Sequence, residues 1–296
     1  MSNSNTKAKL QLITSMVIFG TIGIFKKNIA LPSSLIAMTR GFVGMVFLLI
    51  VIALTKKKLC VRSLKKNAFY LFLSGALIGF NWIFLFEAYN YTSVAVATLC
   101  YYMAPVIVII LSPVLFKEKL TAKKWLCVLS AVIGMVFVSG VLNGGLNSLS
   151  EAKGVIFGMT AAFLYATVIM INKKIKDISP YDKTIYQLGT AGVVLLPYTI
   201  LTENIGAIDI DVTSIILLAI VGIIHTGFAY YFYFGAIGSL DAQTTALFSY
   251  IDPVVAIILS AIILSENIGI FEVIGTLLIL GSTIICDMPA KKQKNH

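Results

Sequence analysis

Apolar runs separated at short intervals by lysines, glycines and turn-forming residues make up nearly the whole of this chain. The runs are continuous. A transmembrane barrel strand would instead alternate apolar and polar residues over about ten positions. Several runs approach or exceed the roughly 18–20 residues that carry a helix across a bilayer. Boundaries set where apolar sequence gives way to charge or turn chemistry predict ten helices. They lie at 9–26, 33–54, 68–89, 93–116, 121–140, 154–172, 182–201, 213–236, 241–264 and 268–287. The connections are short, so sequential helices are expected to be antiparallel neighbours. The longest, 142–153, is rich in Gly and Ser and reads as a linker between a first unit, 1–141, and a second, 154–288, followed by a basic tail, 289–296. The expected class is an all-α membrane protein of ten transmembrane helices.

Composition agrees with this pattern. Of 296 residues, 58% are hydrophobic and 12% charged, with a mean hydropathy of +0.94. That charged fraction is about half the usual one. The first apolar run leads into Phe25-Lys26-Lys27 and not into a small-residue cleavage site, so no cleavable signal peptide is expected. The net charge of +10 does not call for nucleic acid, because the basic residues sit in short loops beside apolar runs. With the N-terminus inside, 19 of the 23 Lys and Arg residues fall on the inner side. Lys26, Lys27 and Lys153 fall outside, and Arg40 lies within a span. The positive-inside rule then places both termini in the cytoplasm of a multi-pass plasma-membrane protein. Cys60, Cys100, Cys127 and Cys286 lack metal-type spacing and read as small core residues.

The chain also repeats itself. Residues 79–118 and 227–266 align without a gap, with fourteen identities in forty positions. These include Gly79/Gly227, Tyr102/Tyr250, Pro105/Pro253 and Glu118/Glu266. Five helices per unit is an odd number, so the second copy is expected to enter the membrane from the opposite side, as an inverted repeat. Such a duplication in a membrane points to a transporter with its site between the halves.

These residues resemble the drug/metabolite transporter superfamily, in its EamA-like branch. The features are Phe19-Gly20 where the family usually has Trp-Gly, Lys27, the intramembrane Arg40, and the signatures Pro105-Val106…Glu118 and Pro253-Val254…Glu266. The resemblance implies a ten-helix carrier that exports, less often imports, small metabolites such as amino acids, purines, vitamins or organic cations.

Charge inside a membrane costs about 2.5–3.5 kcal/mol on insertion scales, so each intramembrane ionisable group is a functional candidate. Arg40 reads either as an anchor for a carboxylate or as a hydrogen-bond hub between helices. Asp252, just before Pro253, reads as a proton carrier or as a structural partner, and Pro253 leaves the Ser249 carbonyl without its helical donor. His225 reads as a proton shuttle or a neutral core residue. Glu87 stands near a helix end, and the deeper Asn81 is placed to line a cavity. Trp82, Tyr101, Tyr102, Tyr230 and Tyr250 supply aromatic walls able to stack a ring or hold an ammonium. Pro105, Glu118, Pro253 and Glu266 read as scaffold, the glutamates favouring the start of the helix that follows each.

The chain carries no GxxxxGK[ST] loop, HExxH or GxSxG pattern. The expectation is a non-enzyme with no cofactor and no metal, driven by a gradient. Its expected partners are a small-molecule substrate, the bilayer and, for coupling, protons, in a monomer or homodimer. One arginine with carboxylates and aromatics suits an amino acid or related zwitterion, exported by alternating access. An organic cation such as choline or a drug, uptake in place of efflux, and a membrane sensor or structural protein are the alternatives.

Overall fold

The computed structural model describes residues 2–56, 59–116, 121–138, 149–208, 210–237, 239–240 and 248–287. The described residues contain helices and no strand. In chain order the helices are α1 (Ser2–Gly20), α2 (Ile22–Lys27), α3 (Ser33–Leu54), α4 (Val61–Lys66), α5 (Ala68–Tyr91), α6 (Val94–Tyr101) and α7 (Ala104–Phe116). They continue with α8 (Ala122–Val138), α9 (Leu149–Asn172), α10 (Pro180–Thr202), α11 (Val212–Ile220), a π-helical stretch (Val221–Phe228), α12 (Ala229–Ile237), α13 (Ile251–Ile263) and α14 (Ile270–Asp287). Seven stretches among the described residues are long and apolar enough to cross a membrane: Thr6–Lys27, Ser33–Leu54, Ala68–Tyr91, Val94–Leu115, Leu149–Asn172, Pro180–Thr202 and Val212–Ala236. α8, α13 and the apolar part of α14, Ile270–Ser282, are shorter.

Four predicted helices are not the plain rods that periodicity implies. The first breaks at Thr21, whose hydroxyl bonds the Ile18 carbonyl at 2.7 Å. The preceding Gly20 packs so tightly that an added Cβ would lie 2.6 Å from the Asp252 carbonyl oxygen. The fourth breaks at Tyr102 and Met103, where Pro105 has no N–H for the Tyr101 carbonyl. The ninth has the same break at Tyr250, ahead of Pro253. The eighth widens into π geometry at Val221–Phe228, and the Thr226 hydroxyl bonds the Val221 carbonyl five residues back at 3.1 Å. A fifth difference lies at the linker: residues 149–153 already belong to α9, with Glu151 in its first turn favoured by the helix dipole. The short α4 in the basic loop was not foreseen, and Asn67 at its end donates to the Lys176 carbonyl. Glu118, the rest of the linker (142–148), positions 241–247 and the tail 289–296 lie outside the described residues.

α5 packs on α9 and α10, α3 on α10, α1 on α12 and α13, and α8 on α14. Outward faces carry exposed leucines and isoleucines such as Leu126, Leu201, Ile262 and Leu277. Small residues set the closest contacts, as they do where helices meet without help from water. At the α8–α14 crossing an added Cβ on Gly275 would lie 2.6 Å from the Gly134 carbonyl oxygen, and one on Gly134 2.8 Å from that of Gly275. Neither backbone can yield locally. Gly275→Val is therefore expected to cost about 1–3 kcal/mol through overpacking, seen as a lower melting temperature. No residue of α8 or α14 lines the cavity described below, so ligand affinity measured below the melting point should stay unchanged.

Candidate functional site

Where the broken helices meet, the bundle encloses a cavity of about 390 Å³. Its walls come from α1 and α2 (Phe19, Gly20, Ile22), α3 (Arg40), α5 (Ile78, Asn81, Trp82, Leu85, Tyr89) and the α6–α7 break (Thr98, Tyr101, Tyr102, Ala104, Pro105). The remaining walls are Tyr165 and Ile169 from α9, Tyr230 from α12, and Ser249, Tyr250, Asp252 and Ala256 around the start of α13. The volume falls within the 300–1,000 Å³ range of small-molecule sites.

Arg40 is buried and held from two directions. Its Nε donates to Thr226 Oγ1 at 2.7 Å, and its guanidinium carbon lies 4.2 Å from the centre of the Trp82 ring. The π-helical stretch aims Thr226 at it, since Thr226 is itself fixed to the Val221 carbonyl. No carboxylate pairs with Arg40 among the described residues: the ion pairs there are Lys27–Glu266 and Lys66–Asp177. One N–H of the five is used, and the remaining fork has no protein acceptor among the described residues.

Asp252 stands in the same cavity. Its Oδ2 accepts from the Tyr102 hydroxyl at 2.8 Å, and the Tyr102 hydroxyl also lies 3.3 Å from the Ser249 carbonyl oxygen. The single Tyr102 hydroxyl thus lies within reach of two acceptors, the Asp252 carboxylate and the Ser249 carbonyl. Asn81 lines the wall, but its amide is engaged: it donates to the Ala161 carbonyl at 2.6 Å and accepts from the Tyr101 hydroxyl at 3.4 Å. Tyr101 stacks on Tyr165 with ring centres 5.2 Å apart, and Tyr230 sits 5.4 Å from Phe19. The result is an aromatic chamber with an unpaired cation and a carboxylate in its walls.

Two residues with candidate roles lie elsewhere. His225 is buried behind the cavity wall, its ring edge-on to Phe25 and its Nε2 2.8 Å from Thr21 Oγ1. The Thr21 hydroxyl hydrogen is already given to Ile18, which leaves the imidazole to donate through Nε2. His225 thereby clamps the break in the first helix to the π-helical stretch. Glu87 belongs to a polar chain at one end of the bundle, where Asn90 donates to it at 3.3 Å and accepts from the buried Lys26 Nζ at 2.9 Å.

Glu266 caps a helix, but not the one that follows it. Both its oxygens accept from the Val94 N–H at the start of α6, at 2.9 and 3.0 Å, and Lys27 Nζ lies 4.0 Å away while donating to the Thr92 carbonyl at 3.2 Å. Ser93 serves Val96 in the same turn, so the two side chains divide the free N–H groups of α6 between them. Cys60 departs from the core reading as well. It is exposed at the start of α4, whereas Cys100 and Cys127 are buried; the Cys286 side chain is outside the described set. Sequence reasoning missed Thr226 and Tyr165. Thr226 stands next to His225, which drew attention as the titratable group, yet the threonine is the neighbour that turns toward Arg40.

A second cavity of about 320 Å³ continues from the first, sharing Phe19, Ile78, Tyr102, Tyr165, Tyr230, Ser249 and Asp252. It runs along α9, α10 and α12 to Asn172, Lys183, Thr184 and Gln187. The Glu266–Val94–Lys27 contacts lie apart from both cavities.

Comparison with known proteins gives a consistent result. The EamA-like transporter family matches residues 6–140 and again residues 152–286. An uncharacterized transporter, YxxF of Bacillus subtilis (strain 168), is 29% identical over 281 residues, covering 94% of this chain and 88% of its own. Protein PecM of Dickeya dadantii (strain 3937) is 26% identical, covering 73% of this chain and 72% of its own. A crystal structure of 19% identity superposes with a TM-score of 0.65 over 94% of this chain and 96% of that one, which bears on fold alone. With its apolar spans and two family matches, this multi-pass membrane protein belongs to the EamA-like transporter family.

Proposed function

We propose that the protein is a gradient-driven exporter of a small zwitterion, of the amino-acid type, working by alternating access across the plasma membrane. The observation that carries this reading is the chamber: Arg40 and Asp252 line one aromatic-walled cavity and form no ion pair with each other. A guanidinium fork suits a carboxylate and a carboxylate suits an ammonium, so a molecule bearing both satisfies both. The family's transport activity supports the class. The matches at 6–140 and 152–286 support two units of five spans, with the shorter α8, α13 and α14 completing ten. The lysine distribution supports cytoplasmic termini. In that orientation the second cavity leads to the cytoplasm and the Glu266–Val94 contact closes the outer end, an inward-open state.

The test is a stabilisation screen of the purified protein over amino acids, amines and carboxylates, followed by flux in proteoliposomes. Zwitterions should raise the melting temperature where acetate and simple amines do so weakly, since ligand binding adds to stability with the logarithm of affinity. Stabilisation by choline-like cations alone would favour the organic-cation reading, in which Asp252 and the aromatics recognise the ligand and Arg40 is scaffold.

The orientation has its own test at Cys60. Hydrogen bonds from the Ser63 side chain and backbone hold this exposed thiol below its ordinary pKa. Thiolate therefore forms at lower pH than in a free cysteine, and maleimide should react fastest here in a Cys286→Ser background. An impermeant maleimide should label it only from the cytoplasmic side. Ser63→Ala should move the rate-versus-pH profile upward, because the thiolate loses its donor.

A further inference from the structure

The rim of the second cavity has a chemistry that the central chamber does not use. We infer that Lys183, Asn172 and Thr184 form a shallow subsite for a carboxylate, through which the substrate passes on its way to Arg40; for the substrate's part in this, the inference rests on the zwitterion reading above. All three residues line the cavity. Lys183 has no ion-pair partner among the described residues, where the ion pairs are Lys27–Glu266 and Lys66–Asp177. Its neighbour Asp182 is turned away, buried, and accepts from the Cys60 N–H at 3.1 Å.

The polarity of Asn172 is set by its contacts. Gln187 Nε2 donates to both Ser74 Oγ, at 2.7 Å, and Asn172 Oδ1, at 2.9 Å. The Asn172 carbonyl is therefore occupied, and its amide hydrogens are the groups left for a ligand. The Thr184 hydroxyl likewise has no partner among the described residues. The rim thus offers an ammonium, an amide NH₂ and a hydroxyl, all able to donate, while among the described residues the carboxylate lining this cavity is Asp252, at the boundary with the chamber. A site of donors with one unneutralised cation takes an oxyanion, and a single lysine matches a singly charged one. An unneutralised cation at the mouth also raises the local concentration of its counter-ion there, which makes the subsite a collector.

Tryptophan fluorescence tests this without knowing the substrate. Trp82 lines the central chamber, whereas Trp125 is exposed on the outer face of α8. In a Trp125→Phe, Arg40→Gln background, Trp82 is the sole reporter and the deep cation is gone. Quenching by iodide is compared with quenching by neutral acrylamide, with and without acetate as competitor. Lys183→Met should lower the iodide quenching constant roughly threefold, leave acrylamide unchanged and abolish protection by acetate, while Lys183→Arg retains all three properties. Unchanged iodide quenching overturns the subsite, as does a parallel fall with both quenchers, which would mean a narrowed passage. Acetate that fails to protect before Lys183 is touched overturns it without any variant at that position. None of these readings depends on transport. Failure of the zwitterion screen with a positive quenching result would therefore strike the proposed substrate and leave the subsite standing.

Discussion

Arg40→Gln is expected to weaken binding of a stabilising amino acid by about 2–5 kcal/mol, roughly 30-fold to several-thousand-fold, and to abolish its flux. The size follows from what glutamine leaves behind: a carboxylate brought into a buried aromatic chamber with no cation to meet it. Arg40→Lys should recover only part of the loss. Lysine keeps the charge but has neither the planar face that lies 4.2 Å from the Trp82 ring centre nor the Nε that fixes the fork to Thr226. The unliganded protein separates an anchor from a structural hub. Only one of the guanidinium hydrogens is used by described residues, and Thr226 keeps its bond to Val221 without the arginine. Removing an unpaired buried cation also removes its desolvation cost. The unliganded melting temperature should therefore hold or rise, whereas loss of a hub would lower it. Asp252→Asn supplies the complement: affinity for ammonium-bearing ligands should fall while that for carboxylates without an amine does not. Equal affinity of wild type and Arg40→Gln for the amino acid would remove Arg40 from the site.

Runs of apolar residues are enough to place helices in this chain, because in hydrocarbon a spanning segment has few alternatives to satisfying its own backbone. Interruptions within a span are a different matter. Pro105 and Pro253 announce theirs through a missing N–H, and the breaks at Tyr102 and Tyr250 fall where that chemistry puts them. The break at Thr21 and the π-helical stretch carry no such mark. They coincide with contacts between helices far apart in sequence, Thr21 with His225 and Thr226 with Arg40. The same division holds at the candidate site. Arg40 and Asp252 were legible because a charge within a span is costly wherever it points. Which of two adjacent polar residues faces the chamber depends on helix rotation, and so the sequence favoured His225 over Thr226. The cap made by Glu266 was recognisable as a cap, but its recipient, Val94, lies 172 positions earlier. Local reasoning offered only the helix that follows.

That long-range cap leads to the second large effect. In the proposed orientation Glu266 joins the outer end of α13 to the start of α6 and so helps hold the outer side shut. Glu266→Ala leaves the Val94 N–H without its carboxylate, and loss of a helix cap costs about 0.5–2 kcal/mol. If that contact forms only in the inward-open state, the whole cost appears as a shift toward the outward-open one, about 2- to 30-fold in population. A cysteine placed at Ala256, on the chamber wall, reports the shift through labelling by an impermeant thiol reagent added outside. Its rate should rise by that factor in Glu266→Ala. Lys27→Met should change it less than Glu266→Ala does, by about fivefold at most, because the ammonium sits 4.0 Å from Glu266 and is partly exposed, and such pairs contribute about 0–1 kcal/mol. Glu266→Gln should fall between the two, since one amide oxygen can still accept from Val94 where the carboxylate offered two. An outside labelling rate unmoved by Glu266→Ala would mean that the cap stabilises both states equally and takes no part in closing the outer end.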